Sequence, residues 1–169
     1  DGSRNYVIYD DSRVEVSSYE QGPRGMISVT ADGASTIKLF ESANLSTMLH
    51  ESGHFFLLVM QDLAAKGETN AVAEYEAVKG WWRENAKAVA ADGNRSMPDA
   101  GLTADDVLRA IDTGTTGDVM KDGAVDVGMQ EQWARAFEAY LMEGKAPNAE
   151  LRTAFEKFRA WLLSIYKRL

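Results

Sequence analysis

The histidines are the feature that most constrains this chain. It has only two, and both lie in the run His50-Glu51-Ser52-Gly53-His54. Residues four apart lie on one face of an α-helix, about one turn apart, so both imidazole rings can reach a single ion. Glu51 is rotated by about 100° from His50, which places its carboxylate beside the ion and outside the ligand set. The run therefore predicts two metal ligands and a general base on one helix.

The remaining ligand has to come from elsewhere in the chain. A catalytic zinc site uses three protein ligands and keeps one position open. Because the chain has no cysteine and no further histidine, the third ligand is expected to be Asp or Glu. A carboxylate beside the open position can take a proton from the attacking water, whose pKa zinc lowers towards about 7. Zn²⁺ is therefore the predicted cofactor.

Hydropathy patterning divides the chain into a short strand-rich part and a long helical part. The first forty residues contain β-rich runs, two of which flank a hairpin signal at Ala31-Asp32-Gly33-Ala34. Helices are predicted at about 45–65, 71–90, 104–111 and 129–143, with a last one after Pro147 and a loop at 113–128. Asp92-Gly93-Asn94 is expected to end the second helix. This pattern predicts an α+β fold in one domain, residues 1–169, with a small, mostly antiparallel N-terminal sheet, a central metal-binding helix and a helical C-terminal part.

Two further motifs carry a family resemblance. The run Glu131-Gln132-Trp133-Ala134-Arg135-Ala136-Phe137 resembles the Glu-x-x-Ala-x-Ala-Phe helix of lethal-factor-like zincins, a branch of the metallopeptidases that carry His-Glu-x-x-His. The runs 49–56 and 137–141 also look like the zincin-type domains of large phage and mobile-element polyproteins. The chain departs from the lethal-factor pattern at Arg135, where an acidic residue is usual, and at Ala124, where a tyrosine is usual. The residue that stabilises the oxyanion is therefore unassigned.

The resemblance implies that Glu131 is the third zinc ligand, with His50 and His54. The small Ala134, one turn later, would let this helix approach the histidine helix closely. Glu138 competes for the same role because it lies seven residues on, within about 20° on the same helix face, so spacing alone does not choose between them. Arg135 lies between the two and could pair with one, leaving the other for the metal.

The function implied is zinc-dependent endopeptidase activity with Glu51 as general base. The alternative is a non-catalytic, zinc-stabilised peptide-binding module of a phage polyprotein. The expected partner is a peptide or protein, including the parent polyprotein. A net charge of −8 argues against nucleic acid and anionic membranes as partners. No signal peptide or membrane span is evident, so we expect a cytoplasmic location, in a fragment of a longer chain.

Two other features each have a structural and a functional interpretation. Trp81, Trp82 and Trp133 could line a substrate pocket, but aromatic residues at helical spacing favour a place in the core. The run 37–41, just before the metal helix, could be the edge strand that binds an extended substrate, or an ordinary strand of the sheet. The sequence leaves this second choice open.

Overall fold

The computed structural model describes residues 7–8, 25–29, 35–39 and 45–166. Three short strands come first: β1 (Val7–Ile8), β2 (Gly25–Val29) and β3 (Ser35–Leu39). Six α-helices follow: α1 (Leu45–Ala65), α2 (Thr69–Glu84), α3 (Ala86–Ser96), α4 (Ala104–Thr113), α5 (Val119–Glu143) and α6 (Ala149–Tyr166), with a 3₁₀ turn at Pro98–Ala100.

The fold class differs from the prediction. Residues 45–166 are 85% helical and contain no strand. The prediction of an α+β fold with a small N-terminal sheet is therefore wrong as a description of this body, which is helical. The physical reason is element length: the helices run from 10 to 25 residues and bury one another's apolar faces, whereas the strands before them are only two to five residues long.

The strands pair in the order β1-β3-β2, and both pairings are antiparallel. Ile37 of β3 pairs with Val7 on one side and with Ile27 on the other. At this register the backbone of β3 is already hydrogen-bonded on both edges. The edge-strand interpretation of the run 37–41 is therefore wrong at Ile37, which lies between two strands. Among the described residues, Lys38 and Leu39 pair with β2 alone. Phe40 and Glu41 lie outside the described residues.

The core forms where α1, α2, α5 and α6 meet. Trp82, Trp133, Phe137 and Phe155 are fully buried, and Trp81 is nearly so. The rings of Trp133 and Phe155 are in edge contact, with centroids 4.9 Å apart. The prediction that the tryptophans are core residues is confirmed. The core fixes α5 against α1, which are the two helices that carry the predicted ligands.

Two helix boundaries differ from the prediction. Asn85 separates α2 from α3, and Gly93 lies inside α3 instead of ending a helix. Helix α5 begins at Val119, because the side chain of Asp118 accepts hydrogen bonds from the first-turn amides of Met120 and Lys121. Residues 119–128, predicted as loop, are therefore nearly three turns of helix. Of the glycines in this stretch, Gly128 reflects close helix packing, as described below.

Among the residues described, none of the helices combines the length and the apolar character that crossing a bilayer requires.

Candidate metal centre

Helix α1 presents both histidines towards α5. It begins at Leu45, as predicted, and the chain leaves it through Gly67 in a left-handed conformation, with φ of 80°. The two residues between Glu51 and His54 serve the packing of the helix. Ser52 is buried and donates a hydrogen bond to the carbonyl oxygen of Met48, at 2.8 Å. Gly53 faces the neighbouring helix, so the histidines flank the line of closest approach.

The close approach of α1 and α5 depends on two small residues. A Cβ atom added at Gly53 would lie 2.9 Å from the Cα atom of Ala134, which is tighter than a normal contact. The buried indole of Trp133 donates a hydrogen bond to the carbonyl oxygen of Gly53, at 2.8 Å. The prediction that Ala134 allows this approach is confirmed. One turn before Ala134, Glu131 therefore lies opposite the histidines.

Three side chains converge between the two helices. The Nε2 atoms of His50 and His54 are 3.1 Å apart. The carboxylate of Glu131 lies across from both, with Oε2 3.6 Å from His50 Nε2 and Oε1 3.6 Å from His54 Nε2. His50, His54 and Glu131 form a group that could hold a metal ion. All three are partly exposed, so an ion and a further ligand can reach them from solvent.

The outer nitrogen of each imidazole has a partner of its own on α5. The Nδ1 atom of His50 lies 3.4 Å from Glu138 Oε2, and the hydroxyl of Ser46 donates a hydrogen bond to the other oxygen of Glu138. The Nδ1 atom of His54 lies 3.2 Å from the side-chain oxygen of Gln130. Glu138, the competing third ligand, is thus outside the converging group. It contacts the face of His50 that points away from His54.

The contacts at the two Nδ1 atoms determine whether the two Nε2 atoms carry a proton. A neutral imidazole carries a proton on one nitrogen only, and the partners of both Nδ1 atoms are acceptors. With its proton on Nδ1, each ring presents an unprotonated Nε2 atom to Glu131. Two lone pairs and a carboxylate then face each other at 3.1–3.6 Å, an arrangement that requires a positive charge among them. This donor chemistry fits a divalent cation.

The pKa values of the three groups reflect the same crowding. The contact between His50 and Glu131 raises the pKa of the imidazole and lowers the pKa of the carboxyl. Burial lowers the pKa of His54, so this ring is neutral at pH 7. A proton on His50 satisfies the group when no ion is bound. A cation held by the three side chains would take the place of that proton.

Glu51 lies beside the converging group without belonging to it. Burial raises the pKa of the Glu51 carboxyl, although the neighbouring His50 opposes the shift and Glu131 adds to it. A carboxylate with a raised pKa is a stronger base, and that favours proton transfer near neutral pH. Glu51 is therefore a carboxyl group near His50 and Glu131 whose pKa burial raises.

Arg135 contacts Glu131 on its other side. Its Nη1 atom lies 3.4 Å from Glu131 Oε2, and its Nη2 atom donates to the carboxylate of Asp92 on α3. Of the two glutamates, Arg135 therefore contacts Glu131, the one that faces both histidines, and Glu138 is held by His50 and Ser46. The expectation that Arg135 pairs with one glutamate and leaves the other for the metal is wrong.

The sequence did not point to three of the contributing residues as site residues. The run Asp92-Gly93-Asn94 predicts only a helix end, and neither Ser46 nor Gln130 belongs to a motif of the sequence. Gln130 directly precedes Glu131 in the sequence, and no motif marks it. These contacts depend on how α3 and α5 are placed around α1, which spacing along the chain does not encode.

Compared with protein-family models, with curated proteins and with solved structures, the chain gives no match.

Proposed function

We propose that this chain is a zinc-dependent peptide hydrolase with His50, His54 and Glu131 as ligands and Glu51 as general base. The observation that carries the proposal is the convergence of two imidazole Nε2 atoms and one carboxylate at 3.1–3.6 Å. Zinc bonds of about 2.0–2.2 Å in a tetrahedron place neighbouring donor atoms roughly 3.3–3.6 Å apart. Two histidines and a glutamate also leave the fourth position open, as in catalytic zinc sites.

In the proposed reaction the chain's own residues hold the site and move the proton. When bound, zinc supplies a Lewis acid that polarises the peptide carbonyl and lowers the pKa of a water to about 7. Glu51 accepts a proton from the attacking water and then donates a proton to the leaving amine. Glu138 and Gln130 keep the Nδ1 protons of the histidines in place, so that the Nε2 atoms stay available.

The substrate within this proposal is a peptide or protein segment, the parent chain included. The presence of Glu51 favours hydrolysis over a purely structural metal site, because a structural site has no use for a base beside its ligands. Its raised pKa supports the same choice.

The first test is metal content together with peptide cleavage. The purified chain is expected to bind one zinc per molecule and to cleave members of a fluorogenic peptide library. A chelator should abolish cleavage, and added zinc should restore it. His50→Ala is expected to lose the zinc. Retention of full zinc by this variant contradicts the ligand assignment, and tight zinc binding without any turnover favours the non-catalytic peptide-binding module.

The second test separates ligation from proton transfer. Glu51→Gln should keep zinc and fold while turnover falls by about 10²- to 10⁴-fold, the usual cost of removing a general base. Glu84→Gln is the matched control, because Glu84 is an exposed residue on α2. Turnover that stays within about twofold of the parent in Glu51→Gln, measured on a peptide that the parent cleaves, would rule out this mechanism.

A further inference from the structure

Asp92 is a carboxylate buried beside the metal centre. Its side chain is 5% exposed, although most aspartates lie at protein surfaces. Three side chains donate to it: Arg95 through Nη1 at 2.7 Å, Gln132 and Arg135. A buried charge is tolerated when it is paired and hydrogen-bonded in this way. Two of its donors belong to α5, so Asp92 connects α3 to the helix that carries Glu131.

Arg135 extends this connection to the predicted ligand. Its guanidinium contacts Asp92 with one terminal nitrogen and Glu131 Oε2 with the other, at 3.4 Å. A guanidinium is planar and rigid, so fixing one edge on Asp92 fixes the direction of the remaining N–H groups. The chain Asp92–Arg135–Glu131 therefore runs from the interior to the metal centre. Arg95 contacts the same aspartate at its other oxygen, and no contact of Arg95 with Glu131 is present among the described residues.

We infer that Asp92 and Arg135 are positioning residues for the metal centre: Asp92 orients the guanidinium, which holds the Glu131 carboxylate towards both histidines. The inference rests on the proposed metal site. In physical terms, the pair restricts the rotation of the Glu131 side chain before the ion binds. Glu131 therefore loses less conformational entropy on binding. Partners that orient ligands in this way contribute about 10- to 100-fold in metal affinity.

Whether zinc binds more weakly or more tightly without Arg135 distinguishes an orienting role from a purely electrostatic one. Arg135 is a cation near a cation site, so if it acted by charge alone, its removal would tighten zinc binding. An orienting role predicts that zinc binding becomes weaker. Lysine keeps the charge but offers a point charge on a flexible stem, so it does not reproduce a two-sided contact. Arg135→Lys is therefore expected to lie between the parent and Arg135→Met.

The test is zinc affinity, measured by competition with a chromophoric chelator, in the full chain and three variants. We expect Arg135→Met to weaken zinc by about 10-fold or more, Arg135→Lys to weaken it less, and Arg95→Met to stay within about twofold. Arg95→Met is the matched control because it also removes one guanidinium from Asp92. The far-ultraviolet circular dichroism of each metal-free variant checks folding, and Asp92→Asn replaces Arg135→Met if the latter does not fold.

Each outcome has one meaning. Unchanged or tighter zinc binding in Arg135→Met overturns the inference, as does equal weakening by Arg95→Met. Both results leave the proposed zinc site standing, provided that the parent chain binds zinc and His50→Ala does not. If the parent chain itself binds no zinc, both the proposed function and this inference are overturned.

Discussion

Helix α5 makes two very different contacts along its length. In its N-terminal half, Ala124 and Gly128 lie against the backbone of α3, where Gly93 and Val89 approach them. In its C-terminal half, Glu131 and its neighbours face α1 across a half-exposed group of polar side chains. At Gly93 and Gly128 the backbones of the two helices come into direct contact, whereas the contact with α1 is made by polar side chains.

The two contacts of α5 use different residues: one set stabilises the packing of the helices, and the other is proposed to bind the ion. At the α3 contact, the space between backbones is so small that only glycine fits. At the α1 contact, Gly53 and Ala134 give the same closeness, but the residues beside them are donors and acceptors. We therefore expect substitutions in the two halves of α5 to have distinct effects. Those near residue 128 should change stability, and those at Glu131, Arg135 and Glu138 should change zinc affinity.

The largest expected effect is on zinc binding in Glu131→Ala. Structural zinc sites with four ligands bind with about 10–16 kcal/mol, so one ligand accounts for roughly 3–4 kcal/mol, or about 10²- to 10³-fold in affinity. Calorimetric zinc titration measures this, with Glu143→Ala as the control, because Glu143 is exposed on the same helix and pairs only with Lys145 among the described residues. Equal zinc affinities in Glu131→Ala and Glu143→Ala would contradict the assignment of zinc binding to the part of α5 that faces α1.

The next effect is on folding. A Cβ atom in Gly128→Ala would overlap the carbonyl oxygen of Val89, and because backbone atoms cannot rotate away, we expect a loss of about 3 kcal/mol in the free energy of unfolding. Gly80→Ala is the control: Gly80 is also inside a helix, but nothing lies within 4 Å of the added atom. This control should gain about 0.5–1 kcal/mol through helix propensity. Urea denaturation of both variants tests the prediction, and similar stabilities would contradict the packing described here.

A smaller effect is expected from Glu138→Ala, which leaves the ligands in place. Loss of the contact with His50 Nδ1 should weaken zinc by about 10-fold, and by no more than about 100-fold. Glu138→Gln keeps an acceptor oxygen and should lie closer to the parent. The same titration applies, and a weakening greater than that of Glu131→Ala would give the ligand role to Glu138.

Several features of this structure could be predicted from the sequence because they are local. The bounds of α1 follow from its apolar run and the glycine after it, and they agree with the structure. The helix predicted from residue 104 begins there, where Thr103 and Asp106 form a capping box. Only the histidine pair of the metal group is local in this sense. Glu131 is implied by the resemblance to the lethal-factor-like helix, because spacing does not choose between it and Glu138. Ala134 indicated which part of α5 approaches α1.

The remainder depends on contacts between distant segments. Gly93 and Gly128 are typical of loops in a sequence, but in this structure they let α3 and α5 touch, so the predicted helix end and loop are wrong. The fold class was wrong for a related reason, since the helical body buries its core without the strands. Ala124 is buried against α3, so the tyrosine that is usual at this position in lethal-factor-like zincins would not fit there.

The central claim is that His50, His54 and Glu131 bind one metal ion together. Zinc X-ray absorption on the chain loaded with one equivalent tests it most directly. The account predicts scattering from two imidazoles and a first shell of nitrogen and oxygen at about 2.0–2.2 Å, with one imidazole lost in His54→Ala. A spectrum without imidazole scattering, or one that His54→Ala leaves unchanged, would contradict it.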